Sequence, residues 1–65
     1  MKITINGTRQ EIEAATLADA LDALDYGEAT VATAVNGRFV PAPARTSTAL
    51  QDGDEVEILA PMQGG

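Results

Sequence analysis

An α+β fold, with a mixed sheet of four to five strands packed on one helix, is expected for this 65-residue chain on three grounds. Two Asn-Gly pairs, at 6–7 and 36–37, each follow a short run rich in β-branched residues. Asn-Gly supplies the two positive-φ residues of a type I′ turn, so each pair predicts a hairpin. Between them Leu17, Ala20, Leu21 and Leu24 recur at i, i+3, i+4 and i+7, which makes one apolar helix face. Near the end, Glu55-Val56-Glu57-Ile58 alternates polar and apolar residues, as a half-buried strand does.

Taken in order, Lys2-Ile3-Thr4-Ile5 reads as the first strand, and a second runs from Thr8 to Ile12. The second has little apolar content, which suits a sheet edge. Thr16 is placed to cap the helix by accepting a backbone N–H, with Asp19 as its capping-box partner. Asp19 and Asp22 fall opposite the leucine stripe, Asp25 on its boundary, and Gly27 reads as the C-cap. Val31 to Val35 is expected to be a mostly buried strand, and Arg38-Phe39-Val40 its return. Pro41 and Pro43 lack the N–H that a ladder needs and end the pairing. Ala42 to Ala49 has no clear period and reads as loop with a turn of 3₁₀ helix, pinned to the core by Leu50. After the Asp52-Gly53-Asp54 turn comes the last strand, Glu55 to Leu59. Val56 and Ile58 should face the helix and Glu55 and Glu57 the solvent. Leu59, on the outer parity, would form with Pro61 and Met62 a small exposed apolar patch suited to a partner.

This order lets the first and last strands pair in parallel, with the helix in the crossover between them. The architecture with that property is the β-grasp, or ubiquitin-like, fold. Residues 1–60 are expected to form the domain and 61–65 a flexible tail.

Composition narrows the chemistry. A chain of this length buries only about 60% of its unfolded surface, so its core must be compact. Tyr26 and Phe39 are the only aromatics, which leaves the packing to aliphatics and alanines. The chain has no Cys and no His, so thiol nucleophiles, disulfides, imidazole bases and the common zinc and iron–sulfur sites are excluded. A small domain without disulfide staples points to the cytoplasm, and no signal peptide or membrane span is visible. The net charge is −6, with ten acids against Lys2, Arg9, Arg38 and Arg45. Four scattered cations do not make a nucleic-acid surface. The acidic balance suits solubility, or steering toward a basic protein partner.

Asp52, Asp54, Glu55 and Glu57 lack the spacing of a calcium loop, and Ser47 has no imidazole to activate it. Gly53, Gly64 and Gly65 do not form a phosphate-binding loop. No catalytic residue, metal ligand or bound cofactor is expected, and the chain does not read as an enzyme.

What remains is the end of the sequence, Gly64-Gly65. Two residues without side chains give a strip thin enough to thread into another protein's active site, carrying the α-carboxylate at its tip. Such a carboxylate can be activated by ATP and made to carry another group. A terminal Gly pair arises by chance on the order of 0.5% of the time at ordinary Gly usage, so the pair needs support from the rest of the chain.

That support comes from three segments. Ala34-Val35-Asn36-Gly37-Arg38-Phe39-Val40-Pro41, then Leu50-Gln51-Asp52-Gly53-Asp54-Glu55-Val56-Glu57-Ile58, then Pro61-Met62-Gln63-Gly64-Gly65 together resemble the ThiS family. Its members are the sulfur carriers of thiamine (thiazole) biosynthesis, and the resemblance spans essentially the whole chain. It implies that an adenylating enzyme of the ubiquitin-activating type uses ATP to adenylate the Gly65 carboxylate. Sulfur from a cysteine desulfurase, passed as a persulfide, would then convert Gly65 to a thiocarboxylate, and thiazole synthase would take the sulfur. Gly64 and Gly65 would be the working residues, with Pro61, Met62 and Gln63 guiding the tail and the free carrier a monomer. Members often have a basic residue after the Val-Pro pair, where this chain has Ala42; Arg45 lies three residues later. Other sulfur carriers of the same fold, for molybdopterin synthesis or tRNA thiolation, remain open alternatives. So do a ubiquitin-like protein conjugated to lysines and a β-grasp interaction module whose tail has no chemistry.

Overall fold

The computed structural model describes residues 1–26 and 30–60. Both Asn-Gly pairs make the expected hairpins. Strands β1 (Lys2–Ile5) and β2 (Thr8–Glu11) pair antiparallel with Ile5 opposite Thr8, leaving Asn6 (φ 49°) and Gly7 (φ 84°) as a two-residue loop. Strands β3 (Ala32–Val35) and β4 (Arg38–Val40) repeat the arrangement around Asn36 (φ 51°) and Gly37 (φ 82°). The fifth strand, β5 (Glu55–Leu59), runs parallel to β1 and antiparallel to β3. The sheet order is β2-β1-β5-β3-β4, so the last strand lies at the centre and β2 at an edge.

Helix α1 (Leu17–Ala23) contributes Leu17, Ala20 and Leu21 to the core. They meet Ile3 and Ile5 of β1, Val56 and Ile58 of β5, Val40 and Leu50. Alternation along β5 is as the sequence predicts, with Val56 and Ile58 buried and Glu55, Glu57 and Leu59 exposed. The 42–49 segment forms a 3₁₀ helix over Ala42–Ser47. It is tied to the start of α1 by Leu17 N–H to Thr48 O (2.8 Å) and Leu50 N–H to Ala15 O (3.0 Å), and Leu50 is buried.

Thr16 caps α1 as expected. Its hydroxyl accepts from Asp19 N–H at 3.2 Å, and the Asp19 carboxylate accepts from Thr16 N–H at 3.2 Å, so the shorter Asp completes a capping box. The other end departs from expectation. The helix is capped at Leu24, and Asp25 takes the left-handed conformation, φ 67°, that the sequence reading assigned to Gly27. Tyr26 N–H bonds Leu21 O (2.7 Å) and Asp25 N–H bonds Asp22 O (3.1 Å), the paired bonds of a Schellman motif. Asp tolerates this backbone better than most side chains, and Tyr26 is drawn in against the core. Gly27 itself lies outside the described residues. Asp25 therefore carries both a left-handed backbone and a negative charge at the negative end of the helix dipole. The substitution Asp25→Gly removes both, and a gain of about 1 kcal/mol is expected in urea unfolding.

Strand β3 also differs from its expected character. It starts at Ala32 rather than Val31, and only Thr33 is fully buried. Its alanines turn to the sheet face opposite the core, so a run of small apolar residues does not mean burial on both faces. The Thr33 hydroxyl is satisfied, donating to Val40 O (2.8 Å) and accepting from Arg45 Nε (3.2 Å).

Candidate functional site

The C-terminal residues follow β5 in the sequence, and β5 is held from both sides. Its parallel pairing with β1 covers only Thr4–Glu55 and Ile5–Val56. Beyond that the Asn6 side chain takes over: Oδ1 accepts from Ile58 N–H (2.8 Å) and Nδ2 donates to Ile58 O (3.0 Å). The amide thus stands in for the next residue of the ladder. At the other end of β5, Asn36 Oδ1 accepts from Glu55 N–H (2.9 Å) and Nδ2 donates to Asp54 Oδ1 (3.0 Å). Asn36 N–H also bonds Glu55 O at 2.7 Å. The sequence marks both asparagines as turn formers but not as clamps. Only the parallel placement of β1 beside β5 brings Asn6 within reach of Ile58. Pairing with β3 continues to Ala32–Leu59, so the ladder reaches the last residue of β5.

The expected contact residue Leu59 is 66% exposed on the sheet face away from α1. A second large apolar side chain, Phe39, is 70% exposed and was missed by the sequence reading. The available signal was parity: Val40 points inward, so Phe39 must point out. Phe39 pairs with Ala34, Ala34 with Glu57, and Ala32 with Leu59. Two alanines thus form the floor of a shallow hollow walled by Phe39, Leu59 and Glu57. Leu59 also walls a second apolar hollow with Thr30, Val31 and Ala60. Exposed apolar surface of this kind, rimmed by carboxylate, is the character of a protein contact. Pro61, Met62, Gln63, Gly64 and Gly65 lie outside the described residues.

Other candidates are absorbed by the fold. Arg45 donates through Nε to Thr33 and through an Nη to Val31 O at 2.6 Å, which fixes the 3₁₀ segment to β3 rather than presenting a free cation. The Asp52 carboxylate accepts from Lys2 N–H (2.7 Å), and that of Asp54 from Gln51 N–H (2.8 Å) as well as from Asn36. The Ser47 hydroxyl donates to Ala44 O. Among the described residues no helix is long and apolar enough to cross a membrane.

With β1 and β5 parallel at the centre of a mixed sheet and, among the described residues, one α-helix packed on a face of it, the chain is a β-grasp protein of the ubiquitin-like class. Residues 3–65 match the ThiS family, and the chain belongs to it. Its fold is shared with the crystal structure of the thiamine biosynthesis protein ThiS from Geobacter metallireducens, which is 33% identical over 100% of both chains, with a TM-score of 0.83. A solution structure of a thiamine biosynthesis protein from the same organism is 32% identical, with a TM-score of 0.81, over 100% of this chain and 88% of that one. No curated protein matches the chain.

Proposed function

We propose that this chain is a sulfur carrier of thiamine biosynthesis, loaded on the carboxylate of Gly65. The observation that carries the reading is the extent of the family match, which covers residues 3–65 and so includes Gly64 and Gly65. A carboxylate is a poor acyl donor because its leaving group would be oxide. In the adenylating partner, a Gly65 oxygen attacks the α-phosphate of ATP and pyrophosphate departs, leaving an acyl-adenylate. A persulfide sulfur from the desulfurase then displaces AMP. Thiol cleavage of the resulting acyl disulfide leaves a thiocarboxylate, whose sulfur passes to thiazole synthase. The chain supplies the acyl group and the address; its partners supply the catalysis. Pro61, Met62 and Gln63 lead Gly64 and Gly65 into the partner, and the Phe39–Leu59 face docks against it.

The test is the intact mass of the protein after incubation with ATP, its host's adenylating enzyme and a cysteine-desulfurase sulfur source. The expected gain is that of one oxygen replaced by sulfur, located on Gly65. An unchanged mass with partners shown to be active would remove the carrier chemistry.

Docking has its own readout. Replacing Phe39 or Leu59 with Ser is expected to weaken binding to the adenylating enzyme roughly tenfold or more in a titration. Both side chains are exposed, so the unfolding midpoint should stay within about 0.5 kcal/mol of the parent.

A further inference from the structure

We propose that Asn36-Gly37 is a site of spontaneous deamidation, and that Asn6-Gly7, the same dipeptide in the same kind of turn, is held back from it by the fold. The reaction needs no enzyme or redox partner. The Gly37 nitrogen attacks Cγ of Asn36, a C–N bond forms, and the Cγ–Nδ2 bond breaks to release ammonia, with the amide proton leaving on it. Water then opens the five-membered succinimide at either carbonyl, giving aspartate or an isoaspartate that routes the main chain through the former side chain. A following glycine favours the attack because no Cβ obstructs it. At Gly37 the turn is open, with no heavy atom near the position a Cβ would take.

Local sequence does little to separate the two sites. Ile5 precedes one pair and Val35 the other, both β-branched. The difference lies in what each amide must release before Cγ can swing toward the glycine. Asn6, itself an exposed turn residue, is held at both amide atoms by part-buried bonds to the backbone of Ile58, a buried residue of the central strand. Asn36 is held at Oδ1 by the exposed Glu55 N–H, and at Nδ2 only by the Asp54 carboxylate. That carboxylate is half-buried and its other oxygen accepts from Gln51 N–H, but its bond to Asn36 is itself open to solvent, so water competes for it. The Asn36 clamp therefore opens more often. Its product is self-aggravating: a carboxylate replaces the donor that faced Asp54 Oδ1 at 3.0 Å, so two like charges meet where a hydrogen bond stood. Isoaspartate would also lengthen a two-residue loop that fixes the register of β3 against β4, and with it the placement of Phe39.

The experiment is timed peptide mapping of the full chain in mildly alkaline buffer, with fragmentation that separates aspartate from isoaspartate. Conversion at Asn36 should run several-fold ahead of Asn6 in the folded protein. In concentrated urea the two sites should convert at similar rates. The substitution Asp54→Ala should speed Asn36 several-fold and leave Asn6 unchanged. Equal rates in the folded chain, a faster Asn6, the same ratio in urea, or an Asp54→Ala variant that accelerates neither site or both alike would each overturn the proposal.

Discussion

A chain ending at Gly64 is expected to fold as the parent does and to accept no sulfur. Every residue of the described core lies between Ile3 and Ile58, so removing one glycine beyond Ala60 takes nothing from it. The unfolding midpoint should be unchanged within about 0.5 kcal/mol. Gly64 would still offer a carboxylate, but one residue short, displaced by roughly 3.5 Å from where the full-length tail would deliver it. An acyl transfer whose reacting atoms must lie within about 3–3.5 Å does not survive such a shift. The expected result is complete loss of the oxygen-for-sulfur mass gain, with binding to the adenylating enzyme retained through Phe39 and Leu59. Retained loading in the shortened chain would sink the assignment of Gly65. Loss of binding together with loading would instead make the tail the main docking element.

The second large effect lies in the core. Leu17 is fully buried at the first turn of α1, where its N–H is bonded to Thr48 O. Truncating it to Ala removes buried surface and leaves a cavity, a combined cost of about 2–5 kcal/mol. Small domains have total stabilities toward the low end of about 5–15 kcal/mol, so Leu17→Ala should leave a large unfolded fraction at room temperature. The conservative Leu17→Met should cost under about 1.5 kcal/mol and remain folded. Thermal melts followed by circular dichroism separate the two, and an Ala variant as stable as the parent would contradict the packing described.

Most of the fold is legible in the sequence because its signals are local. Asn-Gly turns, the Thr16–Asp19 capping box, the leucine stripe and the alternation of β5 each act over a few residues, and each appears where the sequence places it. What is not legible depends on contacts distant in sequence. The Asn6 clamp requires Ile58, 52 residues away, and Arg45 is consumed by Thr33 and Val31 across the sheet. The end of α1 was misplaced because Gly27 is the better left-handed residue in isolation, while Tyr26 settles into the core only if the turn closes at Asp25. At the site, Leu59 was readable from strand parity, and Phe39 was equally so once β4 had been assigned. The hollow between them required knowing that Ala32 and Ala34 of β3 lie beneath, which is a matter of register.

The position of β5 also sets how the molecule bears mechanical load. A partner that grips the C-terminal residues and draws them in pulls along the axis of the central strand. Force applied that way loads the bonds to β1 and β3 in shear, many at once, instead of peeling them one by one as it would from an edge. The first bonds on the β1 side to feel the pull are the pair between Asn6 and Ile58, directly before Leu59. Strand β5 is thus anchored like a rope made fast at the middle of a plank, and the domain can be held taut without being unzipped.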